Sequence, residues 1–85
     1  MASSPVIIAS LNKNRTERLR IALDSWQGHE LLDIRVTTQL SEGTDLWSPT
    51  KKGVSINVAM LPALRQALAD AETKARELGL IAGDA

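Results

Sequence analysis

Apolar and polar positions change their rhythm once along this chain, near residue 58, and the change divides it into two kinds of structure. "PVIIASL" (5–11) is a short apolar, β-rich run that predicts a strand. In "ERLRIALDSW" (17–26), Leu19, Ile21 and Leu23 share one parity, and Arg18, Arg20, Ala22, Asp24 and Trp26 share the other. A strand sends alternate side chains to opposite faces, so this segment is a half-buried strand. "ELLDIRVTTQL" (30–40) repeats the pattern, with Leu32, Ile34 and Val36 opposed to Asp33, Arg35 and Thr37. Beyond the polar loop "SEGTD" (41–45), Val54, Ile56 and Val58 alternate with Gly53, Ser55 and Asn57. The short connections "NKNR" (12–15) and "QGH" (27–29) have turn chemistry. Four strands so joined predict an antiparallel meander with one wet face.

From about residue 58 the spacing becomes three and four. Leu61, Leu64, Leu68, Ala71, Ala75 and Leu78 form a helical stripe. Asn57 is a candidate N-cap and Gly79 a candidate stop. Pro62 is tolerated only in a first turn, so the regular helix is expected to begin near Leu61 or to bend there. The expectation is one α+β domain over residues 1–85: sheet at about 6–57, helix at about 58–78, and a frayed tail at 79–85. The stripe is rich in leucine early and in alanine late, so its second half can approach another helix closely. One helix on four strands leaves little core for 85 residues. A two-fold dimer is therefore expected, with Leu61, Leu64, Leu68, Ala71 and Ala75 at its interface.

Composition removes several classes of function. There is no cysteine, which excludes disulfides and thiolate metal sites. No apolar run approaches a membrane span, and the N-terminal stretch lacks the features of a signal peptide. Formal net charge is zero, so any anion-binding face must arise from local segregation of charge. Segregation does occur. Trp26 shares the polar parity of its strand with Arg18 and Arg20, Arg35 takes the polar parity of the next strand, and Lys51 shares parity with Gly53 and Ser55. An aromatic among arginines on a polar sheet face is how single-stranded nucleic acid is held, by base stacking and phosphate contacts. The alternative for Trp26 is cover for a sheet edge or packing against another subunit.

The segments "RIALDSWQGHELLDIRV", "WSPTKKGVSIN" and "LPALRQAL", in this order, resemble the conserved domain of the transcriptional positive cofactor four family, and especially its small bacterial members. The resemblance covers about residues 6–78. It implies four antiparallel strands and one helix, a homodimer, and a channel for single-stranded DNA with little sequence preference. By the resemblance, Trp26 matches the stacking aromatic and Arg35 the arginine of the third strand. Lys51, Lys52 and Gly53 match the basic pair and glycine that open the fourth strand. The chain also departs from the pattern. Thr38 stands where eukaryotic members carry a second stacking tryptophan, Gln27, His29 and Glu17 stand at lysine positions, and Ser48 replaces another basic residue. No counterpart of the serine-rich regulatory arm of those members is expected. Trp47 is a candidate replacement for the lost aromatic; the other reading makes it a plug at the sheet edge.

Lys51 and Lys52 are adjacent, so an ideal strand would split them between faces. A bulge at Gly53 would bring both to one side, and the missing Cβ would admit a nucleic-acid backbone. The alternative is a basic turn guarding a sheet edge. Little else carries chemistry. His29, the single histidine, reads as a solvated turn residue, and Asp33 and Glu30 lack a nucleophile or metal-ligand cluster. Asp70 and Lys74 have the spacing of a weak helical ion pair. The expected protein is not an enzyme and holds no metal or cofactor. It binds single-stranded DNA, or RNA, in transcription regulation or genome maintenance. Its nucleic-acid contacts are Arg18, Arg20, Trp26, Arg35, Trp47, Lys51, Lys52 and Gly53. It would lie in the cytoplasm with the nucleoid in a bacterium, and in the nucleus only in a eukaryote. The rival expectation is a dimeric scaffold for transcription proteins whose DNA binding is vestigial.

Overall fold

The computed structural model describes residues 5–82. Its strands are β1 (Val6–Asn12), β2 (Glu17–Trp26), β3 (His29–Gln39) and β4 (Trp47–Asn57), followed by a 3-10 turn (Val58–Met60) and the helix α1 (Leu61–Glu77). The strands pair antiparallel in the order β1-β2-β3-β4, the expected meander. Two residues, Gln27 and Gly28, make the β2–β3 connection, both at positive φ (49° and 82°). This mirror-image turn follows the twist of the strands it joins, and it pairs Trp26 with His29. At the β1–β2 turn the Asn14 carboxamide oxygen accepts from the backbone N–H groups of Thr16 and Glu17. Glu17 closes this turn through Lys13 and Asn14. Those two hydrogen bonds, Asn14 first, hold its carboxyl below the usual range.

The change of rhythm at residue 58 is a change of structure. Asn57 accepts from the Ala59 N–H at 2.8 Å and starts the 3-10 turn. Pro62 lies in the first turn of α1, where its missing N–H costs nothing. The regular helix therefore starts at Leu61 and not at 58. Gly79, at φ 73°, ends it. The N–H groups of Leu78, Gly79 and Leu80 bond back to the carbonyls of Lys74, Arg76 and Ala75. These bonds satisfy the last helical carbonyls, and residues 83–85 of the expected tail at 79–85 lie outside the described residues. The expected Asp70–Lys74 pair is replaced: Gln66 donates to Asp70, and the helical ion pair is Glu72–Arg76 at 2.9 Å.

Within the single chain, burial does not follow parity alone. The buried residues come from both parities: Leu32 and Val36 from the apolar side, Ala22, Asp33 and Thr37 from the polar side. Long arginine side chains lie over the middle of the polar face and close it. The apolar side is the open one. Leu19, Ile21, Leu23 and Ile34 are only half-buried and Val54 is 50% exposed. The start of α1 stands beside this side. Leu61, Leu64, Arg65 and Leu68 face Leu11, Leu19, Ile21, Leu32 and Ile34 across a groove of about 560 Å³. The radius of gyration is 15.3 Å, against about 12 Å for a compact chain of this length.

Candidate nucleic-acid interface

The polar face is assembled by register. The Gln27–Gly28 turn fixes β2 against β3, so that Arg20 stands opposite Arg35, Ala22 opposite Asp33 and Arg18 opposite Thr37. On β4, Ser55 stands opposite Asp33, Gly53 opposite Arg35 and Pro49 opposite Thr37. Two guanidinium groups facing each other across a strand pair repel, and need an anion between them. Asp33 supplies it. Its Oδ1 accepts from Arg35 Nη2 at 2.7 Å and from Ser55 Oγ at 2.8 Å. Its Oδ2 accepts from Arg35 Nε at 3.4 Å and Arg20 Nη2 at 3.5 Å. The Arg35 hydrogen bond is the main cause that holds the Asp33 carboxyl below its usual range, and the same bond raises Arg35. The bonding is unequal. Arg35 grips the carboxylate with two nitrogens, while Arg20 touches it once and its buried Nε has no hydrogen-bond partner among the described residues.

Ala22 and Gly53 make this cluster possible. Ala22, fully buried, offers only a methyl beside the carboxylate. At Gly53 a Cβ would stand 2.4 Å from the Ile34 carbonyl oxygen and 3.2 Å from the Arg35 guanidinium carbon. The missing Cβ, expected to admit a nucleic-acid backbone, leaves room for β3 and the Arg35 side chain. The expected bulge is present but lies just ahead of Gly53. Pairing steps from Arg35–Gly53 to Thr37–Pro49, leaving Thr50, Lys51 and Lys52 to bow out opposite Val36. Thr50 pins the bow, with its Oγ1 donating to the Val36 carbonyl at 2.8 Å and accepting from the Lys52 N–H at 3.2 Å. Its carbonyl accepts from Arg35 Nη1 at 3.4 Å. Both lysines are exposed. Lys52 lies near enough Glu17, on the apolar parity of β2, to help depress that carboxyl. Lys51 carries the parity of the polar face.

The two tryptophans mark opposite ends of this face. Trp26, at the hairpin end, is 63% exposed. Trp47 is half-buried, with the Arg18 guanidinium 4.1 Å from its ring centroid and its Nε1 donating to Asp45 at 3.3 Å. Arg18 also lies 3.9 Å from Asp45. Eight residue steps along β2 separate Trp26 from Arg18, a span of roughly 26 Å. The structure therefore brings Arg18, Arg20, Arg35, Trp47 and Gly53 onto one face with Trp26 at its end, and carries Lys51 and Lys52, both exposed, on the bulge of the edge strand β4.

Sequence reasoning missed Asp33, Thr50 and Ser55. A signal for Asp33 was available, because a two-residue turn at Gln27–Gly28 sets the register that places it between two arginines. No group of three or more metal-binding side chains occurs among the described residues, and no helix is long and apolar enough to cross a membrane.

Residues 13–67 match the family model for the transcriptional coactivator p15 (PC4). No curated protein matches the chain. Among solved structures it is similar to a PC4 homologue from Burkholderia pseudomallei in two crystal forms. The tetragonal form has 30% identity and a TM-score of 0.69, covering 81% of this chain and 98% of that one. The orthorhombic form has 30% identity and a TM-score of 0.72, covering 82% and 92%. It is also similar to a bacteriophage T5 homologue of the eukaryotic coactivator PC4, implicated in recombination-dependent DNA replication, at 25% identity and a TM-score of 0.53, covering 91% and 98%.

Proposed function

The chain belongs to the transcriptional coactivator p15 (PC4) family, and we propose that it is a homodimeric, non-enzymatic protein that binds single-stranded DNA with little sequence preference. The observation that carries this reading is the polar face, which joins a free tryptophan at one end to an arginine-stacked tryptophan at the other through a line of cations. Bases would stack on Trp26 and Trp47, and Arg18, Arg20 and Lys51 would meet phosphates. The dimer is supported by the open apolar side. The single chain exposes 6672 Å², about 1,700 Å² more than a compact monomer of its mass. The exposed Leu68 and Ala71 continue that apolar side along α1.

The relatives support a biological setting. One is a homologue of a transcription coactivator implicated in DNA replication, so the proposed role is in transcription or in recombination-linked replication, in a bacterial cytoplasm. The test is titration of a fluorescent oligo-dT at several salt concentrations, with duplex as control. Tight binding to the single strand that weakens with salt is expected, each lysine–phosphate contact adding about −0.7 to the slope of log affinity against log salt. Equal or absent binding to both oligonucleotides would sink the proposal.

One observation favours the rival reading, a dimeric scaffold for transcription proteins. Asp33 neutralises part of the charge of the two central arginines, in a chain of zero net charge. Oligo-dT binding no stronger than that of a neutral control protein would select it.

A further inference from the structure

Arg35 stands in the middle of the cationic face, yet its guanidinium is already engaged on three sides. It makes a two-nitrogen pair with Asp33, donates to the Thr50 carbonyl, and occupies the space vacated by the Cβ of Gly53. Asp33 is itself fixed from β4 by Ser55. Thr50 in turn holds the bow that carries Lys51 and Lys52, through its bonds to Val36 and to the Lys52 N–H. These contacts form an unbroken chain from a buried carboxylate to the only segment of β4 that leaves the ladder.

We propose that Asp33 and Arg35 are a brace for the Thr50–Lys52 bulge, and that Arg35 serves single-stranded DNA binding by positioning Lys51 rather than as a phosphate ligand. The phosphate-facing arginine of the central pair is then Arg20, which touches Asp33 through one long contact and not through the two-nitrogen grip of Arg35. The physical reason is preorganisation. A lysine held before the ligand arrives loses less freedom on binding than one on a loose loop. Three residues opposite one on β3 would otherwise form such a loop.

The inference rests on the single-stranded DNA reading, and its test separates the two. Arg35→Lys keeps the charge but cannot grip Asp33 with two nitrogens and also reach Thr50. Affinity for oligo-dT and its salt slope are measured for the wild type, Arg35→Lys, Lys51→Ala and the double variant. Arg35→Lys is expected to weaken binding about five- to tenfold and to flatten the slope toward that of Lys51→Ala. In the Lys51→Ala background it should add less than about twofold, because its effect passes through that lysine. Thr50→Val, which lacks the hydroxyl, should behave as Arg35→Lys does, while Thr50→Ser should bind as the wild type; these two decide the matter if Arg35→Lys does not fold. Additive losses from Arg35 and Lys51, or wild-type binding by Thr50→Val, would overturn the brace. If the wild type ignores oligo-dT, the functional reading fails, and trypsin cleavage after Lys51 decides the brace without DNA. Faster cleavage in Thr50→Val than in the wild type supports it, and equal rates overturn it.

Discussion

The two faces of the sheet are made by the same alternation, yet one is complete within the chain and the other is not. On the polar face every strand from β2 to β4 contributes to a cluster closed around Asp33. On the apolar face, side chains of β1 to β3 line a groove whose second wall is only the start of α1. Hydrogen bonds and ion pairs are short and directional, so a few side chains can satisfy one another. Apolar burial scales with area, and one helix does not supply enough. The single chain therefore organises its candidate binding face, and leaves its apolar face short of the cover that the proposed second copy would supply.

The largest effect is expected where that second copy would sit. Leu68, 60% exposed in the single chain, would be buried in the dimer. Leu68→Glu should abolish a micromolar dimer in sedimentation, a loss on the order of 3–5 kcal/mol. A mutant that stays dimeric would place the interface elsewhere. Next comes Gly53→Ala, which drives a Cβ into the β3 backbone and should cost about 2–3 kcal/mol in urea unfolding. Wild-type stability there would mean that β4 has room the geometry denies.

Asp33 sharpens the contrast through pH. Its carboxyl is held below its usual range, first by Arg35 and then by Ser55 and Arg20. A depressed native value means that the unfolded state takes up a proton first on acidification. The stabilisation is full above the ordinary aspartate range near pH 4 and is lost as pH falls through the lower native value. Asp33→Asn should cost about 1–3 kcal/mol at pH 7 and should flatten the loss of stability below about pH 4. An unchanged acid limb in urea melts would remove Asp33 from the centre of the face.

The smallest effects distinguish the two tryptophans. Trp26→Ala should weaken oligo-dT binding about tenfold, roughly 1.4 kcal/mol, with unchanged melting. Trp47→Ala should weaken binding and also cost about 0.5–1 kcal/mol of stability, because the Arg18 stack is lost. Unfolding of Trp26→Ala, or a Trp47→Ala protein of full stability, would erase the difference between the ends.

Much of this was legible along the chain. Alternation in 17–26 and 30–40 defines β2 and β3, Asn57 and Pro62 set the start of the helix, and Gly79 sets its end. These are local signals, carried by backbone preference and by the period of the pattern. The paired faces of Arg18, Arg20, Arg35 and Trp26 follow from parity in the same way. Asp33 looked isolated because its partners lie on three different strands. Gly53 looked like an opening for a ligand because the nearness of the Ile34 carbonyl exists only after pairing.

The sequence by itself determined the elements, their order, and which residues share a face, since each depends on neighbours within a few positions. It also carried the family, because the order of "SWQGHELLDIRV" and "SPTKKGVSIN" survives without any coordinates. Only the tertiary structure decided that Arg35 is engaged and Arg20 less so, that the bulge falls on Thr50–Lys52, and that Trp47 lies under Arg18. Apart from the Arg35–Asp33 pair within β3, each of these is a contact between segments separated in the chain by a turn or more. A contact of that kind depends on register to within one residue, and a periodic pattern does not state its register.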